Sequence, residues 1–414
     1  MTDVVRSKEL FAEEPLFSQG IRAWELTFLA QDGRGPDGLL GGARGAQGQA
    51  RRSLENLEIA LKVLGQGLED LVSLTVLLPD YADAREVAAV LDTAFPNPKK
   101  AYPATTFLGV MGLDGGCRVR LDAVAASSPE REQILITDVP FALGNRCHGV
   151  RVADLLFLSG VDAAGSQGTA PQPVNIEAQT VAVLDRIETI LKSQGLSLGD
   201  IFRTFMFLRG TEHRPGYRES RRKRYQGIFR EDEFPANSGI YIQELGPDIL
   251  LRSVAIAYRK GKTYVSSPKV WQAPGSFSQA IRVGNWLFLA GQDSIGLNPQ
   301  SEAKTDHIDL LSPEYRPTFR YQTEAVGDLE GQTEVALTHI KDILEAAGGT
   351  MDDVVKTTVY LVAGQDRSRF AAAYQRFFKA HRSSSTMPAG LSLEVKELAP
   401  SCLVEVDAVA LLRG

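Results

Sequence analysis

The chain of 414 residues is 43% apolar and 23% charged with a net charge of -6, a balance typical of soluble globular proteins that excludes a general grip on nucleic acid, which needs clustered Lys and Arg against phosphates. No run approaches the roughly 18 apolar residues of a membrane helix, and MTDVVRSKELFAEE puts acids where a signal peptide needs an apolar stretch. Three scattered cysteines, Cys117, Cys147 and Cys402, with five histidines in no zinc-like spacing, predict a cytoplasmic protein with no disulfide framework, no metal and no cofactor.

Taken in chain order, the first strand signal is TFLAQD, with Phe28 at its centre. The glycine-rich stretch 33–47 follows; it lacks the Gly-Lys-Ser/Thr end of a phosphate loop and reads as a connector. Leu54, Leu57 and Leu61 then recur at helical spacing, Gly65 marks the helix end, and VSLTVLL reads as a strand. Pro103-Ala104 and a closing strand, LDAVA, complete the set before the polar stretch 128–134. The order then repeats. LFLSGVD carries Phe157, the helix carries Leu184, Ile187 and Leu191 with Gly195 behind it, and Pro235-Ala236 and SVAIA close the second copy. After a second polar stretch, 260–270, LFLAGQD carries Phe288, the helix carries Leu337, Ile340 and Leu344 with Gly348 behind it, and Pro388-Ala389 and VDAVA close the third. Asp70, Asp200 and Asp353 fall in one column.

Self-similarity of this kind means three tandem copies of one unit. Each helix must bury its apolar stripe against the sheet of its own copy, which makes the unit α+β. The expected units are residues 1–130, 131–262 and 263–414. The third carries an insertion of about 22 residues near 299–321, read as a loop over a cleft rim.

Copy 3 shows what the unit is similar to. APGSFSQAIRVGNWLFLAGQ, EGQTEVALTHIKDILEAAG, DVVKTTVYL, MPAGLSLEVKEL and VEVDAVA resemble, in turn, the opening, helix, strand, closing loop and last strand of the Rid (reactive intermediate deaminase, YjgF-type) family. The resemblance spans almost the whole chain, three times. It implies three Rid-like (chorismate mutase-like) domains forming an intramolecular pseudo-trimer, with a central β-barrel, outer helices and small-molecule clefts between units. It also implies enamine or imine deamination, with an Arg after Pro-Ala to hold the substrate carboxylate. That position here is Thr105, Asn237 and Gly390, so no copy keeps the Arg. The family's site-lining Tyr is Phe17, Arg146 and Phe277, its acidic strand position Asp122, Val254 and Asp407, and its helix Asn Ala88, Arg222 and Ala371.

The expected substrate-binding residues are accordingly Arg146, Asn237, Arg222, Ser238, Tyr241, Thr105 and Phe277, and the expected proton-moving residues His148, Asp122 and Asp407. An unperturbed histidine has a pKa of about 6.5, suited to moving a proton at neutral pH, and a carboxylate in a cleft can carry a raised pKa. The bland alternatives stand beside them: Arg146 in a surface ion pair, His148 a hydrogen-bonded strand residue, the aspartates in structural ion pairs, and RRKR (221–224) a solvated helix face. The leading expectation is a cofactor-free enzyme acting on a small anionic metabolite by acid/base chemistry: hydrolysis, imine or enamine deamination, or elimination at a cleft between copies. A chorismatase-like hydrolase or lyase is the enzymatic alternative, on the PANSGI loop, and a non-catalytic metabolite-binding or protein-interaction pseudoenzyme is the other. The expected partner is a small molecule, with no nucleic acid and no membrane. The chain is read as a monomeric pseudo-trimer, with further self-association left open.

Overall fold

The computed structural model describes residues 2–11, 16–41, 44–96, 102–128, 130–165, 174–230, 233–271, 277–295, 328–399 and 401–413; the expected insertion near 299–321 lies outside them. Three mixed sheets follow one another along the chain, each with two helices on one face. In copy 1 the strand order is Thr2–Val4, Gly20–Ala23, Leu26–Asp32, Arg120–Ala126, Leu71–Leu78, Ala104–Gly109. The last pair is parallel and the others antiparallel. Copies 2 and 3 repeat the order, ending on the parallel pairs Ile201–Leu208 with Ala236–Tyr241 and Val354–Val362 with Ala389–Val395. Copy 2 adds a short strand, Val161–Asp162.

The repeated columns have physical causes. Asp70, Asp200 and Asp353 each accept a hydrogen bond from the backbone N–H three residues earlier, on Gly67, Ser197 and Thr350, at 2.9, 2.7 and 2.9 Å. Each thereby closes a one-turn helix that feeds a strand. Gly65, Gly195 and Gly348 sit at φ +70°, +67° and +78°, the left-handed exit from a helix that favours glycine. A β-bulge falls at the same place in each copy, between Leu71 and Ser73, Ile201 and Arg203, and Val354 and Lys356. The stripe residues Leu57, Ile187 and Ile340 are buried under their own sheets, each contributing about 1.5–3 kcal/mol.

The polar stretches at 128–134 and 260–270 are not plain linkers. Arg131–Ile134 and Lys262–Val265 are the first strands of copies 2 and 3 and lie at sheet edges. Short, polar edge strands carry no alternating apolar signal, because one side meets water.

The sheet faces turned away from the helices pack together. Two buried apolar clusters draw on all three copies, one including Phe28, Phe157 and Phe288, the other Leu77, Phe207 and Leu391. The copies touch in cyclic order through isolated bridges: Gly109 to Glu244, Tyr241 to Glu397, Gly112 to Glu394 and Ser18 to Ala389. The three ladders stay separate, with no closed barrel among the described residues. No helix among them is long and apolar enough to cross a membrane.

Candidate active site

Each seam between copies sets the strand that follows Pro in one copy against the early strands of the next, the third in all three seams. One register relation decides what fills it. In copy 1 Asp32 stands opposite Arg120 across the ladder, and in copy 2 Asp162 opposite Arg252. In copy 3 the bridge from Gln292 to Val406 sets Asp293 opposite Glu405. Two seams therefore match an acid with a cation, and the third matches two acids.

The cation-bearing seams are filled. Between copies 1 and 2 the fully buried Arg252 bonds Asp162 at 2.6 Å, the Tyr81 hydroxyl at 3.0 Å, and the carbonyls of Phe107 and Leu245. Between copies 3 and 1 Phe17 lies against Gly390, where a Cβ would clash with the ring. Asp32 bonds Arg34 at 2.6 Å. Burial works against the Asp32 anion, but Arg34 and Arg120 prevail and hold its carboxyl below the usual value. The space left in that seam is about 20 Å³.

The seam between copies 2 and 3 holds a pocket of about 80 Å³. One wall is the helix Arg214–Tyr225, which starts with Pro215 in its first turn. Tyr217 and Tyr225 anchor it in the interior. Arg214, Arg218 and Arg221 face the pocket, at the i, i+4, i+7 spacing of one helix face. Arg221 is buried with its guanidinium 5.3 Å from the Tyr217 ring centre and 5.9 Å from that of Phe234. Asn237, Gly239 and Tyr241 continue the wall, and Phe277, Gly291, Asp293 and Glu405 close it from copy 3. Gly291 lies directly under Glu405, where a Cβ would overlap the carboxylate.

The two acids are electrostatically unusual. Burial pushes the Asp293 carboxyl up to about 6, against the attraction of Arg214. Burial, then the nearby Asp407 and Asp293, hold Glu405 well above the carboxylate range. Behind Asp293, the buried His339 on helix Leu329–Ala346 hydrogen-bonds its backbone; burial drops this imidazole to about 4, so it stays neutral. Such a site offers fixed cations on one side and carboxyls with raised pKa on the other, the parts needed to hold an anion and move a proton.

Of the expected residues, Asn237, Tyr241 and Phe277 line this pocket. Asn237 Oδ1 accepts from the Thr204 hydroxyl at 2.8 Å. The others lie elsewhere. Arg222 is exposed and pairs with Glu219 at 3.1 Å; one residue past Arg221, it is turned about 100° around the helix. Asp407 is on the same strand face as Glu405 but two residues further, about 7 Å along. It lines an inner cavity and bonds Arg203 at 2.9 Å and the Tyr360 hydroxyl at 3.0 Å. Burial raises its pKa against the pull of Arg203. Ser238, fully buried, donates to Asp407 and accepts from Gly291 N–H at 3.0 Å, so it braces the pocket floor from behind. Asp122 pairs with Lys356 across copies 1 and 3 on the wall of the same inner cavity.

His148 does not fit the proton-moving role expected of it. Its Nδ1 accepts from Ile136 N–H at 3.0 Å, its Nε2 bonds the Val139 carbonyl at 2.9 Å, and Phe141 stacks on the ring. Burial lowers its pKa, and both nitrogens are committed to backbone. Arg146 pairs with Asp92 of copy 1 at 2.6 Å, and Thr105 donates its hydroxyl to the Pro103 carbonyl at 2.9 Å. Among the described residues no three His, Cys, Asp or Glu side chains gather to hold a metal.

Sequence reasoning passed over Arg214, Arg218, Asp293, Glu405 and Gly291, and it set Arg221 on a solvated helix face, where the structure buries it. The arginine spacing is visible in HRPGYRESRRKR, but which face it serves depends on how the helix rotates onto the sheet. The acid pair depends on ladder register, which an extra residue in copies 2 and 3 displaces.

The comparisons with known proteins agree with this architecture. The family model for endoribonuclease L-PSP matches residues 10–127, 137–259 and 269–412. A RutC family protein of Pyrococcus horikoshii is 36% identical over 136 residues, 33% of this chain and 86% of that protein. The 2-iminobutanoate/2-iminopropanoate deaminase of Escherichia coli K12 is 30% identical over 141 residues, 34% of this chain and 91% of its own. Across most of the length, a crystal structure of a chorismatase shares the fold at a TM-score of 0.52 and 18% identity, covering 83% of this chain and 93% of that one. The chain therefore belongs to the endoribonuclease L-PSP family, that of the Rid and RutC proteins, with three copies of the family's unit in one polypeptide.

Proposed function

We propose that this protein is a cofactor-free hydrolase of a small anionic metabolite, working in the pocket between copies 2 and 3 of an intramolecular pseudo-trimer. The inner sheet faces play the part of its central barrel, and the units run over 1–130, 131–262 and 263–414. The observation that carries the reading is the opposition of Arg214, Arg218 and Arg221 to Asp293 and Glu405 in one cavity. The arginines and Asn237 hold the substrate anion, replacing from a helix the cation that the Pro-Ala strand lacks. Glu405, its pKa raised well above the ordinary value by burial and the nearby Asp407 and Asp293, gives its proton to the departing nitrogen or oxygen. Asp293 takes a proton from the attacking water. With a 2-imino acid, water adds to the imine carbon, the C–N bond breaks, and a 2-oxo acid and ammonia leave. Asp407 and Ser238 act from behind, holding Gly291 and thereby the seat of Glu405.

Two comparisons support the reaction class: the deaminase likeness of single copies and the chorismatase likeness across the fold. The second favours a related reading, enol-ether hydrolysis of chorismate in the same pocket: Glu405 protonates the terminal vinyl carbon, water adds to the carbon bearing the ether oxygen, and the bond between that carbon and the ether oxygen breaks to leave pyruvate and the ring alcohol. Purified chain is assayed for ammonia release from 2-iminobutanoate and for loss of chorismate. Turnover of either, reduced at least about 100-fold by Glu405→Gln, is the expected result. Binding of both without turnover, or turnover indifferent to Glu405→Gln, removes the reading.

A further inference from the structure

The sheet faces turned away from the helices line a cavity of about 130 Å³ that the seam chemistry leaves unused. Phe28, Phe157 and Phe288, one from each copy, stand in its wall together with Phe205 and Phe207. The first three are the column that marks the same strand in every copy.

The charged groups of this wall are matched among themselves. Asp122 pairs with Lys356, and Asp407 with Arg203, each pair joining two different copies. A charged ligand would have to displace one member of a buried pair and leave the other uncompensated, at a cost of about 3–5 kcal/mol. A neutral apolar molecule faces no such penalty and gains dispersion contacts with five aromatic rings. An apolar cavity of roughly 150 Å³ lined by Leu, Ile and Phe stays dry and takes benzene or xenon. The cavity here is close to that size, and its lining is mostly apolar, with the two matched ion pairs and a few hydroxyls set into the wall.

We propose that this inner cavity is a second ligand site, distinct from the seam pocket, for a neutral apolar molecule of about six carbon atoms, such as a monocyclic aromatic. The site goes beyond the proposed hydrolase reading and stands without it.

Fluorobenzene titrated against the full-length chain and followed by fluorine NMR tests it. The expected result is saturable binding at about one molecule per chain, unchanged in Arg214→Gln and weakened more than about tenfold in Val254→Phe, which fills the cavity from copy 2. No saturable binding, or binding that survives Val254→Phe and is lost in Arg214→Gln, overturns the proposal. Crystals of the unaltered chain under xenon give a readout that needs no variant. A xenon site among Phe28, Phe157 and Phe288 supports the proposal, and xenon found only elsewhere, or not at all, overturns it.

Discussion

A single side-chain exchange, Arg at 120 and 252 against Glu at 405, separates the three seams. Opposite an aspartate, an arginine neutralises the site and occupies it with its own length, as Arg252 does. A glutamate leaves two carboxyls side by side, and two such groups do not both ionise readily. Burial, the largest cause, makes the folded protein favour the protonated Asp293, whose carboxyl is pushed up to about 6 from the unfolded value of 3.8. The sign follows: this contribution to stability is complete below about pH 4 and is lost as pH rises through about 6. Asp293 is only partly buried, so the change is put at about 1–2 kcal/mol. Denaturant midpoints between pH 4 and 7 should fall more steeply in the wild type than in Asp293→Asn. Parallel curves would contradict the assignment. Each member of this acid pair can be read in the sequence, but their pairing cannot. Asp32 follows Phe28 by four residues, whereas Asp162 and Asp293 follow Phe157 and Phe288 by five, so alignment on the phenylalanines sets the aspartates out of column.

Among the elements, helix Arg214–Tyr225 and strand Val404–Leu411 make the pocket, and both show how one or two positions redirect a side chain. Arg221 and Arg222 are neighbours, yet one is buried against aromatic rings and the other exposed. Glu405 and Asp407 share a strand face but reach different cavities. The opening of copy 2 is the contrasting case, since its polar residues are committed to holding a loop. His148→Ala removes two hydrogen bonds to backbone and a stacked ring. It should cost about 1–3 kcal/mol of stability by leaving backbone groups unpaired, with kcat/KM unchanged under conditions where the variant is folded. Arg214→Gln should do the reverse, raising KM about tenfold or more with little change in the denaturant midpoint. Equal effects of the two substitutions on kcat/KM would place the chemistry elsewhere. The apolar stripes of the helices were legible because their period survives in any context. The first strands of copies 2 and 3 were not, because polar edge strands look like linkers. Helix rotation about its axis, which chooses Arg221 over Arg222, leaves no mark on local sequence.

For the molecule as a whole, threefold repetition was the plainest signal in the chain, and the capping aspartates, exit glycines and matched bulges give it a physical basis. Ion pairs lock the copies to one another, Arg203 to Asp407 between copies 2 and 3 and Lys356 to Asp122 between copies 3 and 1. Fusion into one polypeptide frees each seam to differ, which three identical subunits could not do. Among the described residues, arginine or phenylalanine fills two seams, and the third holds a pocket lined by three arginines. Unequal seams imply one anion site per chain. Calorimetric titration with 2-oxobutanoate, the product of 2-iminobutanoate hydrolysis, counts the sites directly. One molecule should bind per chain, and Arg218→Gln should abolish binding; three molecules bound, or binding untouched by that substitution, would rule out a single seam site.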